Sequence, residues 1–299
     1  MTYPRAHLVD FDNGGFYHCI SRCVRRAWLC GVDALTGTSF EHRRTWLEER
    51  ILTLSGLFAI DLYGYAVMSN HYHIVVRVCP DRLSTWSNDE VVQRWLTLTC
   101  KPGAQDVAER RDALLQNPER IEVLRERLGN LSWFMRYVNE PLARIANAED
   151  DCKGRFWEGR FKSIALLDDA AIQNCLAYVD LNPYRAGMTD IAEKGTHTSI
   201  HRRVSSNDDD RLSDLRDVGL DLTCYRALLT WTVAVDRGER IEAGWPIEAH
   251  IRSLGQNPEE WLRNVRAHRF KYRAYGLKRS LDRYVERLGQ HWLRGAFST

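Results

Sequence analysis

The chain has 299 residues, 44% of them apolar and 27% charged, a balance that supports a packed core and excludes a disordered chain. Its 42 Lys and Arg stand against 40 Asp and Glu, a net charge of only +2, so any nucleic-acid signal has to be local rather than global. No apolar run reaches the length of a membrane span, and Met1-Thr2-Tyr3-Pro4-Arg5 lacks the apolar core of a secretion signal.

None of the eight cysteines forms a C-x-x-C pair. Cys19, Cys23 and Cys30 could in principle hold zinc, but buried, reduced thiols are the expected state, which points to the cytoplasm.

Along the chain, residues 14–24 are β-rich and partly alternating, which predicts a first strand. Thr38-x-x-Glu41 has the form of a capping box ahead of Leu47, Ile51, Leu54 and Phe58 at helical spacing. Ile60–Met68 and His71–Val78 read as two strands joined tightly through Ser69-Asn70. Residues 80–130 are charged and helical in character, with Asp89–Leu98 and Pro118–Leu128 as helices, and suggest an insertion. Asn130 is placed to cap a helix carrying Leu131, Phe134, Met135, Val138, Leu142 and Ile145 on one stripe, which Pro141 should kink or divide.

A basic aromatic run, Lys153 to Lys162, leads into an apolar strand, Ser163–Leu167. Asp168 and Asp169 suit the first turn of a helix with Ile172, Cys175, Leu176 and Val179 on one face, ended by Pro183. The order predicts an α+β fold, an antiparallel sheet with helices on one face. The expected division is a domain over 1–195, a linker over 196–215 marked by Ser205-Ser206-Asn207-Asp208-Asp209-Asp210, and a helical, basic C-terminal domain over 216–299.

In a strand, alternate side chains share a face, so His71 and His73 lie together while Tyr72 points away. Two imidazoles one pleat apart can chelate a divalent metal and leave positions for phosphate oxygens. H-x-H is short, and on spacing alone a structural pair is the commoner outcome. Tyr178 and Asn182 are four residues apart and project from one helix face. A tyrosine hydroxyl can attack a phosphodiester when a metal polarises the phosphate, but taken singly a half-buried tyrosine is usually structural. Arg22, Arg25 and Arg26, with Lys153, Arg155, Trp157, Arg160 and Lys162, combine phosphate-binding cations with rings able to stack on unpaired bases. From Arg263 on there are ten Lys and Arg, including Arg269, Lys278 and Arg279, against Asp282 and Glu286, a second candidate phosphate surface.

The order of these signals is more specific than any one of them. Tyr17-His18-x-x-Ser21-Arg22, Met68-Ser69-Asn70-His71-Tyr72-His73, Gly154 to Ser163, and Tyr178-Val179-Asp180-Leu181-Asn182-Pro183-Tyr184-Arg185-Ala186-Gly187 together strongly resemble the REP-associated tyrosine transposases. These are relatives of the single-tyrosine insertion-sequence transposases of the HUH nuclease superfamily. The resemblance covers roughly residues 10–190. It implies a ferredoxin-like or RRM-like fold and cleavage of single-stranded DNA, often beside a hairpin, through a 5′-phosphotyrosine. By position, His71 and His73 would bind Mg²⁺ or Mn²⁺, Tyr178 would be the nucleophile, and Asn182 would be a third, amide ligand. Tyr184, beyond the proline, is the less suited tyrosine. The implied partner is single-stranded or hairpin DNA, with no membrane and no nucleotide cofactor, bound by a monomer or homodimer. A catalytically silent hairpin-DNA or RNA-binding protein on the same sheet is the alternative. A replication-initiator or relaxase-type enzyme would call for a three-histidine set, and the sequence shows a pair.

Overall fold

The computed structural model describes residues 9–10, 13–24, 29–33, 36–101, 103–206, 210–239, 246–266, 272–291, 293 and 295–297. Its centre is a six-stranded sheet of β1 (Gly15–Arg22), β2 (Ile60–Val67), β3 (His71–Val78), β4 (Lys162–Leu166), β5 (Ala274–Gly276) and β6 (Gly295–Phe297), in the order β2-β3-β1-β4-β5-β6. The first four strands pair antiparallel, while β4, β5 and β6 run parallel. The tight link through Ser69-Asn70 forms as expected, with Met68 N–H bonded to the His71 carbonyl.

The α+β class holds, but helices cover both faces rather than one. The period of two sends Tyr17, Cys19, Tyr72, Ile74 and Val76 into one core and Ile20, Val75, Ile164 and Leu166 into another. Near-continuous burial of β2 and β3 is the pattern of strands packed on two sides. The first core is roofed by α1 (Glu41–Leu57) and α6 (Leu131–Glu149), joined by the inserted α2 (Asp81–Thr85), α3 (Asn88–Thr99), α4 (Val107–Leu115) and α5 (Pro118–Leu128). Leu47, Ile51 and Leu54 are fully buried there, and each contributes about 1.5–3 kcal/mol by leaving water.

Local signals are met to different degrees. Asn130 accepts from Ser132 and Trp133 N–H, and Ser87 forms a capping box with Glu90 at the start of α3. At α1 the expected box is absent: Phe40 is the N-cap, and Glu41 pairs with Arg44 instead. α6 runs through Pro141 without dividing. Proline leaves the carbonyl four residues back without its helical donor, and Arg50 Nε supplies that bond to the Tyr137 carbonyl at 3.1 Å.

The second core holds α7 (Asp169–Asp180), the short α8 (Asn182–Arg185), α10 (Leu222–Asp236), α11 (Ile247–Ser253) and α12 (Pro258–Arg266). Asp168 caps α7 through Ala171 N–H at 3.0 Å. Gly64 lies at a bulge in β2, where an added Cβ would meet Leu176 Cδ2 at 2.8 Å; its missing side chain lets α7 settle onto the sheet.

The expected linker over 196–215 is instead a packed part of the fold. It carries α9 (Ser199–Ser205), and Thr198, Ser199 and Ile200 are fully buried. His197, Thr198, Ser199 and Ser213 bond to the backbone of β2, covering what would otherwise be an open sheet edge. The helical 216–299 region also contributes two three-residue strands, β5 and β6, which extend the central sheet, and α13 (Lys278–Arg287) buries Leu281 and Tyr284 in the first core. The acidic Asn207-Asp208-Asp209 segment lies outside the described residues.

Candidate active site

The register of β1 against β3 sets Arg22 opposite His71 and Ile20 opposite His73. His18, on the same face of β1 as Ile20, reaches across so that its Nε2 lies 2.9 Å from His73 Nδ1, with the two rings stacked at 5.0 Å. The His71 ring stands nearly perpendicular to His73 at 4.8 Å, and its Nδ1 donates to Asn70 Oδ1 at 2.6 Å. Three imidazoles therefore meet where the sequence displayed two. His18 was visible only as part of a motif; nothing local could show that strand pairing brings it to a histidine 55 residues away.

The face carrying these rings lies under α7. Tyr178 packs edge-on against His73 at 5.6 Å and against His18 at 6.0 Å, so the tyrosine meets histidines of its own chain. The side chain is only 6% exposed, and burial pushes its hydroxyl up to about 12, opposed by Asn182 and by the cations Arg185 and Arg22. Arg185 lies over the Tyr178 ring at 5.2 Å, and its guanidinium donates to the Tyr178 carbonyl at 3.2 Å. Asn182 turns its amide N–H back to that same carbonyl at 3.0 Å. It belongs to α8 rather than to a continuous tyrosine helix, because Pro183 takes the first turn of a new helix.

His73 and His18 are buried, whereas His71 is partly exposed. Burial, followed by the neighbouring His71, holds His18 down to about 3, so it is neutral. His71 opens into a cavity of about 300 Å³ lined by Ile20, Arg22, Glu158, Gly159, Arg160 and Lys162. The structure builds this mouth by running residues 156–158 beside the end of β1: Val24 and Glu158 N–H bond to the Phe156 and Arg22 carbonyls. Of the basic residues singled out above, Arg22, Arg160 and Lys162 come together with His71. Arg155 and Trp157 line a groove that adjoins this mouth, and Lys153 is exposed on the turn after α6.

Lys278 and Arg279 do not join them. They start α13 beside β5, which pairs with Ala165 and Leu166, roughly 13 Å along β4 from Lys162. Lys278 is paired with Asp282, and Arg263 and Arg266 with Glu260 and Asp236. Some of the C-terminal cations are thus paired, Arg266 with a residue 30 positions away. Arg25, Arg26 and Arg269 lie outside the described residues.

Among the described residues, no group of three or more His, Cys, Asp or Glu side chains is arranged to hold a metal ion. Cys19, Cys23 and Cys30 are buried thiols. No described helix is long and apolar enough to cross a membrane.

No family model and no curated protein matches the chain. Among solved structures it is similar to a REP-associated tyrosine transposase bound to a REP hairpin, at 14% identity and a TM-score of 0.40, over 69% of this chain and 87% of that one.

Proposed function

We propose that the protein is a metal-dependent, single-tyrosine DNA nickase and strand transferase acting on single-stranded DNA beside hairpins. The observation that carries this reading is the packing of Tyr178 against His73, whose ring meets His71 at a mouth lined by Arg22, Arg160 and Lys162. The ordered motifs that hold these residues support it.

The histidines suit Mg²⁺ or Mn²⁺ as a pair rather than as a closed set. His71 gives its Nδ1 proton to Asn70, and a histidine whose Nδ1 is hydrogen-bonded presents Nε2 to a metal. His73 can do the same through His18. Imidazole is a softer donor than carboxylate or water, which favours Mn²⁺ over Mg²⁺. When bound, the ion would supply positive charge to a non-bridging phosphate oxygen. Asn182, whose Nδ2 is held by the Tyr178 carbonyl, would complete the set through its Oδ1.

The chain's own residues account for the rest. Arg22, Arg160 and Lys162 hold the backbone at the mouth. The Tyr178 oxygen attacks phosphorus and the bond to the 3′ oxygen breaks; the tyrosine gives up one proton and the leaving 3′ oxygen takes one. The phosphodiester is conserved as a 5′-phosphotyrosine, so the 3′-hydroxyl can reverse the step without a nucleotide cofactor. His18 touches no reacting atom in this scheme and is a positioning residue for His73.

The deep burial of Tyr178 favours one other reading, a catalytically silent hairpin-binding protein on the same sheet. Incubation with labelled single-stranded hairpin DNA and Mn²⁺ separates the two. Catalysis predicts a covalent protein–DNA adduct that is absent with EDTA and absent in Tyr178→Phe. Tight binding with no adduct under any metal establishes the silent reading.

A further inference from the structure

A second depression adjoins the mouth, and Gly159 and Arg160 line both. It is a groove of about 640 Å³ between α6 and the segment 155–161. Its floor is apolar: Met135 is fully buried, Phe156 nearly so, and Phe161 half-buried. Exposed Arg155 and Arg160 stand at its rim, beside Arg136 paired with Glu140.

The wall is locked to the strand that carries the histidines. Trp157 Nε1 donates to the Asn139 carbonyl at 2.9 Å, and Tyr72 Oη donates to Asn139 Oδ1 at 2.7 Å. The Tyr72 and Trp157 rings meet at 5.8 Å. Tyr72 lies between His71 and His73, so the groove and the histidine pair hold a fixed relation to one another.

We infer that this groove binds an unpaired base of the DNA strand, next to the phosphate held at His71. The inference rests on the proposed function and adds to it a subsite formed by α6. A duplex keeps its bases stacked inside and offers a protein mainly phosphates and groove edges, which an apolar floor does not match. A single strand presents both parts together, a flat apolar face for the floor and a charged backbone for the cationic rim. The shared Gly159-Arg160 wall lets one strand pass from the mouth into the groove.

The test is an abasic scan. Hairpin oligonucleotides carrying one abasic site at each position flanking the cut are titrated with the full-length protein by fluorescence anisotropy. One position beside the cut is expected to lose affinity by about five-fold to a hundred-fold, the range for one stacked base. That loss shrinks to less than about two-fold in Phe161→Ala, and also in Ala143→Phe, which fills the groove from α6; circular dichroism verifies that each variant is folded. A wild-type scan that is flat, while the Tyr178 adduct still forms, overturns the groove and leaves the proposed function intact. Absence of both adduct and hairpin binding removes both. A sensitive position unaltered by either folded variant places the base elsewhere and overturns the inference.

Discussion

Two histidines at hydrogen-bond distance share one proton, and burial decides how. His18 is held neutral by burial, so it can serve as an acceptor for the Nδ1 proton of His73 and fix that ring's orientation. Loss of such a partner typically weakens a metal site by about ten-fold to a hundred-fold. His18→Ala is therefore expected to lower Mn²⁺ affinity by that factor, with partial recovery in His18→Gln, read by calorimetric titration of the DNA-free protein. Unchanged Mn²⁺ affinity in a folded His18→Ala variant would show that His18 only fills space. At this scale the sequence was legible where one element held both partners. His71 and His73 share a strand, and the period of two places them together; His18 depends on a strand pairing that no local pattern encodes.

The helices show the same division. Stripes of apolar residues located α1 and α6 because burial on one face imposes their spacing, whereas α7 is buried on all sides from Ala170 to Asp180. The outcome at Pro141 was not legible, because it depends on Arg50 of a different helix. Removing that donor strands the Tyr137 carbonyl, so Arg50→Met is expected to cost about 1–3 kcal/mol of stability. In Pro141→Ala the restored N–H takes over the carbonyl, and the same Arg50→Met change should then cost much less. Urea denaturation of the four proteins in this cycle measures the coupling; equal costs in both backgrounds would show that the two residues act independently. α7 depends on a similar absence, the missing side chain of Gly64 beneath Leu176.

Over the whole molecule, the topology sorts the cations by role. The central strands bring Arg22 and Lys162 to the histidine end of the sheet, whereas β5 carries Lys278 and Arg279 to the other end. Counting charge along the chain gives the C-terminal region as a second candidate surface. Position in the sheet separates the two surfaces, because the end of the sheet that a cation reaches depends on strand pairings that composition does not encode. Affinity for single-stranded hairpin DNA should follow the spatial order. Arg160→Ala and Lys162→Ala are each expected to reduce the slope of log affinity against log salt by about 0.7, the value for one lost phosphate contact on a single strand. Lys278→Ala and Arg279→Ala should leave that slope unchanged, and a reduced slope in either would place the α13 surface on the DNA.

Tyr178 is the residue proposed to join to DNA. Tryptic cleavage after Lys162 and Arg185 releases a peptide whose only tyrosines are Tyr178 and Tyr184. Fragmentation of that peptide by mass spectrometry, after reaction with hairpin DNA and nuclease trimming, locates the attached nucleotide. A 5′-nucleotide is expected on Tyr178; a nucleotide on Tyr184, or an adduct carried by any other peptide, would rule Tyr178 out as the nucleophile.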